Sequence, residues 1–364
     1  MKALASLAAK SVFLTAAALA FGLTAAEPVL AEPVAIRFGF AQVGVGNRQF
    51  GSSNSAAILH SKGFLAEEFK NDPDISIEWS FFKGAGPAVN EAIANKQLDF
   101  ALQGDLPAVV GRSNGLKTKL LAASGLRANI YLAVTPKSGI ASIADLKGRK
   151  VAQFRGTNLQ LATDKVLAAH GLTERDVKFI NMDFATATAA LATGDIDAAF
   201  GQADYLALDK QGTAKVIYST KGDDPTFTRH AHLLVTEAFE QAHPGVTYRV
   251  VKALVKAAAW ASDEANREAV FEEWAKSGIP ADTFRADLDG QSLVYRNTPV
   301  IDDFLVAAYR DQIERAKGYK LVRGDVSVDG WFEPSYVNKA IAELGLEGRW
   351  PRYDAKGQQQ TAAK

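Results

Sequence analysis

The sequence predicts an α/β protein of two lobes, and three observations carry that expectation. Short apolar runs of strand length alternate with helical patterns from residue 35 to residue 218. Turns built on Gly follow most of these strands and open helices, as at Gly84, Gly104 and Gly156. The cycle also repeats: Gly194-Asp195-Ile196-Asp197 in the second half mirrors Lys96-Gln97-Leu98-Asp99 in the first. A chain of 364 residues, 48% hydrophobic, is long enough to build two such cores.

The elements follow in order. Residues 35–40 form a strand that leads into a polar, Gly-rich loop over 42–54, containing Gln42 and Arg48. A helix is expected over 55–69. The strand 75–82 ends at Lys83-Gly84-Ala85-Gly86, and Pro87 then suits the first turn of a helix over 87–94. The strand 98–102 ends at Gln103-Gly104-Asp105, again opening a helix with a first-turn proline, Pro107. A strand over 118–123 ends at Ser124-Gly125. In the second cycle, strands at 150–154, 177–181, 196–200 and 215–218 alternate with helices at 158–170, 185–193 and 204–211. Parallel pairing is the natural outcome, with ligand groups at the strand C-terminal ends. Beyond His230 the spacing turns helical: Val246, Val250, Val251, Leu254 and Ala258 share one face, and Phe304 to Ile313 and 336–344 suggest two further helices. This region is expected to pack on the first lobe. The polar tail 354–364 predicts disorder.

The first 31 residues read as a secretory signal peptide. Lys2 and Lys10 precede an apolar run over 11–23, and small residues follow, with cleavage expected after Ala31 in preference to Ala26. The run is shorter than the roughly 20 residues a membrane span needs. No cysteine is present, so no disulfide and no lipidated cysteine are available to the exported chain. These features predict a periplasmic protein that does not insert in the membrane once cleaved. The 41 basic and 41 acidic residues balance to zero, which excludes nucleic acid or an anionic membrane as the main partner.

The segment Ser142 to Leu167 carries the clearest site signal. Arg155-Gly156-Thr157-Asn158 joins a strand to a helix, whose first N–H groups lack internal partners and sit at the positive end of the dipole. Gly156 permits close backbone approach, Thr157 and Asn158 supply polar side chains, and Arg155 supplies charge. Together they suggest a cradle for an anionic or zwitterionic solute. Arg127, at an expected hinge, and Arg48 are further candidate cations. Asp183 and Asp204 each begin a helix, where they cap it or, for Asp204, meet an ammonium group on a zwitterion. His230 and His232 alternate along one strand, but two histidines without a carboxylate at usable spacing do not make a metal site. The Gly44-x-Gly46 pair lacks the third glycine of a dinucleotide fingerprint. No nucleophile elbow, zinc-protease helix or P-loop is present, so neither a cofactor nor covalent chemistry is expected.

In order and spacing, several segments resemble periplasmic solute-binding proteins of ABC importers, in the nitrate/sulfonate/taurine branch that includes the aliphatic sulfonate binders. They are IRFGF (36–40) with its Gly-rich loop, FFKGAGPAVNEAIANKQLDFAL (81–102) and GDLPAVV (104–110), then the stretch 131–172 and FATATAALATGDIDAAFG (184–201). The resemblance implies a type II binding-protein fold of two mostly parallel, helix-flanked sheets. Two crossover strands, near 126–134 and 228–235, would join the lobes. Lobe I would span 32–130 plus 226–364, and lobe II 131–225. It implies binding positions at Gln42, Gly84-Ala85-Gly86, Gly104-Asp105 and Gly156-Thr157-Asn158, with Ser124 at a neighbouring strand end. It further implies a monomer that captures a small solute by hinge closure and delivers it to a membrane permease.

Sulfonate binders of this group often carry Trp-Asp-Pro-Tyr where this chain has Gln202-Ala203-Asp204-Tyr205. A sulfonate, taurine or a sulfate ester is the expected solute. Nitrate, an aromatic carboxylate or a thiamin precursor is the alternative, and so is a sensor role. The related pyrimidine synthases use a Cys-rich iron site, which a cysteine-free chain does not supply.

Overall fold

The computed structural model describes residues 33–51 and 53–360; the segment read as a signal peptide and its cleavage sites lie outside them, as do residues 361–364. Two five-stranded sheets organise the chain. The first contains β1 (Val34–Phe40), β2 (Ile75–Phe81), β3 (Phe100–Gly104), β4 (Thr118–Ala128) and, from much later in the chain, β10 (Arg229–Thr236), in the order β2-β1-β3-β10-β4. The second contains β5 (Tyr131–Val134), β6 (Lys150–Gln153), β7 (Lys178–Asn181), β8 (Ala198–Gly201) and β9 (Lys215–Ser219), in the order β7-β6-β8-β5-β9. The two orders are equivalent, which is the structural form of the repeat seen in the sequence.

Each sheet is mixed. β1 runs parallel to β2 and β3, and β6 parallel to β7 and β8. β10 and β5 run antiparallel to both of their neighbours. Each antiparallel strand is the first one laid down after the chain passes from one sheet to the other, so it enters its sheet from the side of the cleft. β4 is longer than the spacing suggests. It continues through Ser124-Gly125 to Ala128, pairing with β10 through register shifts, so Ser124 lies within a strand and not in a turn.

The helices cover both faces of each sheet. The expected helix over 55–69 is two pieces, α1 (Ser55–Ser61) and α2 (Phe64–Glu68), because Gly63 adopts φ +68° between them. α3 (Ala85–Ala94) and α4 (Asp105–Ser113) follow β2 and β3. In the second lobe, α5 (Asn158–Ala169), α6 (Phe184–Thr193) and α7 (Asp204–Lys210) follow β6, β7 and β8. The later helices return to the first sheet: α8 (Glu237–Ala242), α9 (Pro244–Ala261), α10 (Arg267–Ala275), α11 (Ala281–Asp287), α12 (Leu293–Asn297), α13 (Asp303–Gly318) and α14 (Ser335–Glu343).

α9 buries Val250, Val251, Leu254 and Ala258 in one core with Phe38, Phe100 and Trp274. Phe38 stacks on Phe100 with ring centroids 4.9 Å apart, a cross-strand pair set by their shared register. The opposite face of the sheet packs on Leu305, Tyr309 and Ile313 of α13. Where the tail composition suggested disorder, residues 354–360 close a turn: Asp354 N–H donates to Gln358 O, and Gly357 N–H to Asp354 O. Asp354 Oδ1 also accepts from Lys356 and Gln358, the local pairing that makes Asp a turn former. No helix of the described residues is long and apolar enough to cross a membrane.

Candidate functional site

A cleft opens where the two sheets face each other. Its first wall comes from the ends of β1 and β3 and the start of α3, through Gln42, Gln103, Gly104, Ala85 and Gly86. Thr157, Asn158, Phe184 and Gln202 of the second lobe form the facing wall, and Arg229, His230 and Arg296 lie at its base. The lobes are in contact around it. Asn158 Nδ2 lies 3.4 Å from the carbonyl of His230, and a Cβ placed at Gly104 would lie 2.5 Å from Asn158 Nδ2. Lys83 faces Asp183 at 3.6 Å, Lys165 faces Asp311 at 3.1 Å, and Lys210 pairs with Asp282; each pair joins the two lobes. This is a closed arrangement.

Arg229 and Arg296 were not legible as site residues, yet they dominate the electrostatics. Arg229 begins β10 and is 8% exposed; Arg296 lies on α12 and is 2% exposed. Arg229 donates to Gln202 Oε1 (3.3 Å) and to the Asn129 carbonyl (3.2 Å), and its Nε has no partner. Arg296 donates from Nη1 to Asp287 (3.1 Å), while its Nε and Nη2 have none. Burial and the neighbouring Arg296 charge push the Arg229 guanidinium down to about 10. Asp287 is already committed to Asn129 and to the Tyr131 hydroxyl. Its burial alone would raise it, but the Arg296 charge and these donors outweigh that and hold it below the usual carboxylate value. Unpaired guanidinium N–H groups in a desolvated site are costly, and an oxyanion is the group that satisfies them.

Of the residues singled out in the sequence, Gln42, Ala85, Gly86, Gly104, Thr157, Asn158 and Gln202 line this cleft. Asp183 and Asp204 line its outer continuation, and the rest are engaged elsewhere. Arg155 is exposed and pairs with Glu174 at 3.3 Å. Gly156 N–H donates to Gln160 Oε1 (2.7 Å) and Leu159 N–H to Thr157 Oγ1, so the turn caps its own helix and leaves those donors spent. Gly156 itself, at φ +75°, lies against Pro87 of the other lobe. Arg48 is exposed on the first loop, packed against Gly278. Gly84 precedes α3 without lining the cleft.

Asp105 is buried and accepts from Leu106 N–H, His230 N–H and Gln312 Nε2. Burial outweighs these donors and the Lys165 charge, pushing its carboxyl up to about 6. It ties α4, β10 and α13 together. Ser124 is buried, and its carbonyl accepts from Ser55. Arg127, at φ +56° near the end of β4, holds its guanidinium 4.3–4.5 Å from the ring centroids of Tyr295, Phe304 and Tyr353. Its backbone N–H donates to His230 Nδ1. His232 is hydrogen-bonded to the Tyr309 hydroxyl. Both histidines sit well below their usual titration range because burial disfavours the charged ring.

Asp183 caps α6 by accepting from Thr186 N–H (3.0 Å), and Asp204 accepts from the Thr188 hydroxyl (3.2 Å). Both line an outer continuation of the cleft. Nothing in the spacing around residues 229 and 296 marks them. Arg229 could have been suspected only from its place at the start of a crossover strand.

Comparison with known proteins agrees with this architecture. A Bacillus subtilis (strain 168) protein named "Putative aliphatic sulfonates-binding protein" is 28% identical over 304 residues, which is 80% of this chain and 86% of that protein. The crystal structure of a "putative sulfonate ABC transporter, periplasmic sulfonate-binding protein" from Methylobacillus flagellatus KT matches with a TM-score of 0.76. It is 29% identical, and the match covers 91% of this chain and 100% of that one. The alkanesulfonate-binding protein of Xanthomonas axonopodis pv. citri, bound to MOPS, shares the fold with a TM-score of 0.69 at 24% identity, over 84% of this chain and 100% of that one. The family model described as NMT1/THI5 like matches residues 72–267, more than half of the chain, and the protein therefore belongs to the NMT1/THI5-like family.

Proposed function

We propose that this protein is the periplasmic substrate-binding component of an ABC importer, and that it captures a small organic solute bearing a sulfonate or sulfate-ester group. The observation that carries the reading is the pair Arg229 and Arg296. Both are buried at the base of the cleft, and between them three guanidinium nitrogens have no partner. The names of the related sulfonate binders point to the same chemistry. Solute enters the open cleft, its oxyanion satisfies the two guanidiniums, and Asn158 and Gln202 close over it from the second lobe. Closure then follows because solute binds the closed form better than the open one. The closed form presents itself to a membrane permease, and no bond in the solute is made or broken.

A thermal-shift screen of the protein, unfolded and refolded to strip bound solute, tests this. The panel holds alkanesulfonates, taurine, sulfate esters, nitrate, aromatic carboxylates and thiamin precursors. Solute at 100 times its dissociation constant adds about 2.7 kcal/mol, a rise of a few degrees in Tm. Sulfonates or sulfate esters should give that rise. A rise only with uncharged heteroaromatics contradicts the oxyanion reading.

A further inference from the structure

We infer that Asp287 determines which charge state the cleft accepts: its carboxylate sets the charge at the base so that singly charged oxyanions bind and doubly charged ones of the same shape are rejected. This role rests on the oxyanion reading above. Asp287 ends α11 and is 3% exposed. It is not among the residues lining the inner cleft and acts on the solute through Arg296, which makes it a positioning residue.

Three side chains donate to this one carboxylate. Its Oδ1 accepts from the Tyr131 hydroxyl (2.6 Å) and from Asn129 Nδ2 (2.8 Å), and its Oδ2 accepts from Arg296 Nη1 (3.1 Å). The donors come from β5 of the second lobe, from the crossing between β4 and β5, and from α12 of the first lobe. The carbonyl of the same Asn129 receives Arg229 Nη2 (3.2 Å), so both cleft arginines are oriented through the Asn129–Asp287 pair. No other carboxylate is hydrogen-bonded to either arginine among the described residues. Asp105 and Asp204 reach Arg229 only through space. Asp105 is offset by the Lys165 charge beside it, and burial pushes Asp204 toward its neutral form. The groups in direct contact at the base are therefore two guanidiniums and one carboxylate, which sum to a single positive charge.

A sulfonate or sulfate monoester carries one negative charge and neutralises that base. A phosphate monoester has the same tetrahedral head and offers the same acceptors to Arg229 Nε and to Arg296 Nε and Nη2. Hydrogen bonding alone does not separate the two. Above its second pKa, about 6, the phosphate is a dianion. It would leave a net negative charge in a site the second lobe closes over, with the Asp287 carboxylate just behind Arg296. Repulsion between like charges out of water is what discriminates.

Calorimetric titration of the stripped protein near pH 8 with ethyl sulfate and ethyl phosphate tests this. The wild type should prefer ethyl sulfate by at least about tenfold. Asp287→Asn, which keeps the size and removes the charge, should lower that preference by at least about tenfold. Gln202→Glu, which puts a carboxylate where Arg229 Nη1 now meets an amide oxygen, should raise it. Tyr131→Phe removes a donor but no charge, and should leave the preference within about twofold. Both affinities falling together in Asp287→Asn, at an unchanged ratio, overturns the charge role. Should that variant not fold, an unchanged ratio in Gln202→Glu overturns it. A wild type that takes ethyl phosphate as tightly as ethyl sulfate overturns the selection and leaves the oxyanion site standing. Binding of neither ester also overturns it, and the alkanesulfonates of the thermal screen then decide whether the oxyanion reading falls too.

Discussion

Lys165 Nζ of the second lobe lies 3.1 Å from Asp311 Oδ2 of the first, and the lysine is only 3% exposed. The same ammonium donates to the carbonyl of Thr226, on the segment crossing between the lobes. Beside it Leu161, also on α5, packs into the core cluster of the first sheet. α5 thus makes both a polar and an apolar contact across the cleft. Asp311→Asn leaves a buried ammonium with a neutral partner in the closed form, at a cost of about 1–2 kcal/mol once the partial exposure of Asp311 is allowed for. Solute affinity should fall about 5- to 30-fold, and small-angle scattering of the ligand-free protein should show a larger radius of gyration. Unchanged affinity would mean that this pair persists in the open form.

Gly104→Ala separates closure from folding. Gly104 has φ −80° and ψ 173°, which alanine adopts without strain. The added Cβ would lie 2.5–2.7 Å from Asn158 Nδ2, Cγ and Cβ in the opposite lobe. We expect solute affinity to drop at least tenfold by calorimetry, with the ligand-free Tm moving by no more than a degree or two. A large fall in ligand-free Tm would show instead that the glycine serves the fold.

Asp164, buried in the second lobe, receives no donor at either carboxylate oxygen and faces Glu174. Burial, then the Glu174 charge, pushes it up to about 8. The folded protein therefore keeps a proton that the unfolded chain loses near pH 4. Its contribution to stability is fully present below that value and is lost as pH rises, until the folded state too releases the proton near pH 8. Asp164→Asn removes this slope. Its Tm should exceed that of the wild type at pH 8–9, with the gain shrinking toward pH 5. A gain that does not vary with pH would contradict the buried-acid reading.

The fold was readable because strand and helix periods alternate, and because both halves place short polar turns at strand ends. The antiparallel strands β5 and β10 were not marked as such, since burial on both faces gives a parallel and an antiparallel strand the same apolar run. The lining of the cleft was readable in part. Gln42, Gly104, Thr157 and Asn158 sit at strand ends, where topology puts ligand groups. Arg155 shares that position, but Glu174 lies within reach of its guanidinium and takes it. Arg296 lies 9 residues from its partner Asp287, on the far side of the Asp289-Gly290 turn, and only tertiary packing brings it to the cleft.

Arg155→Ala should therefore leave solute affinity within about twofold, the behaviour of an exposed ion pair. Arg229→Gln removes a charge-assisted donor worth about 2–3 kcal/mol and should weaken sulfonate binding on the order of 100-fold by calorimetry. The reverse ranking would place the anion at the α5 turn.

The most direct measurement is a crystal structure of the protein with hexanesulfonate bound. Sulfonate oxygens within hydrogen-bond distance of Arg229 Nε and of Arg296 Nε or Nη2 are the predicted result. A sulfonate held at the Arg155–Asn158 turn, with both buried arginines left unpaired, would contradict it.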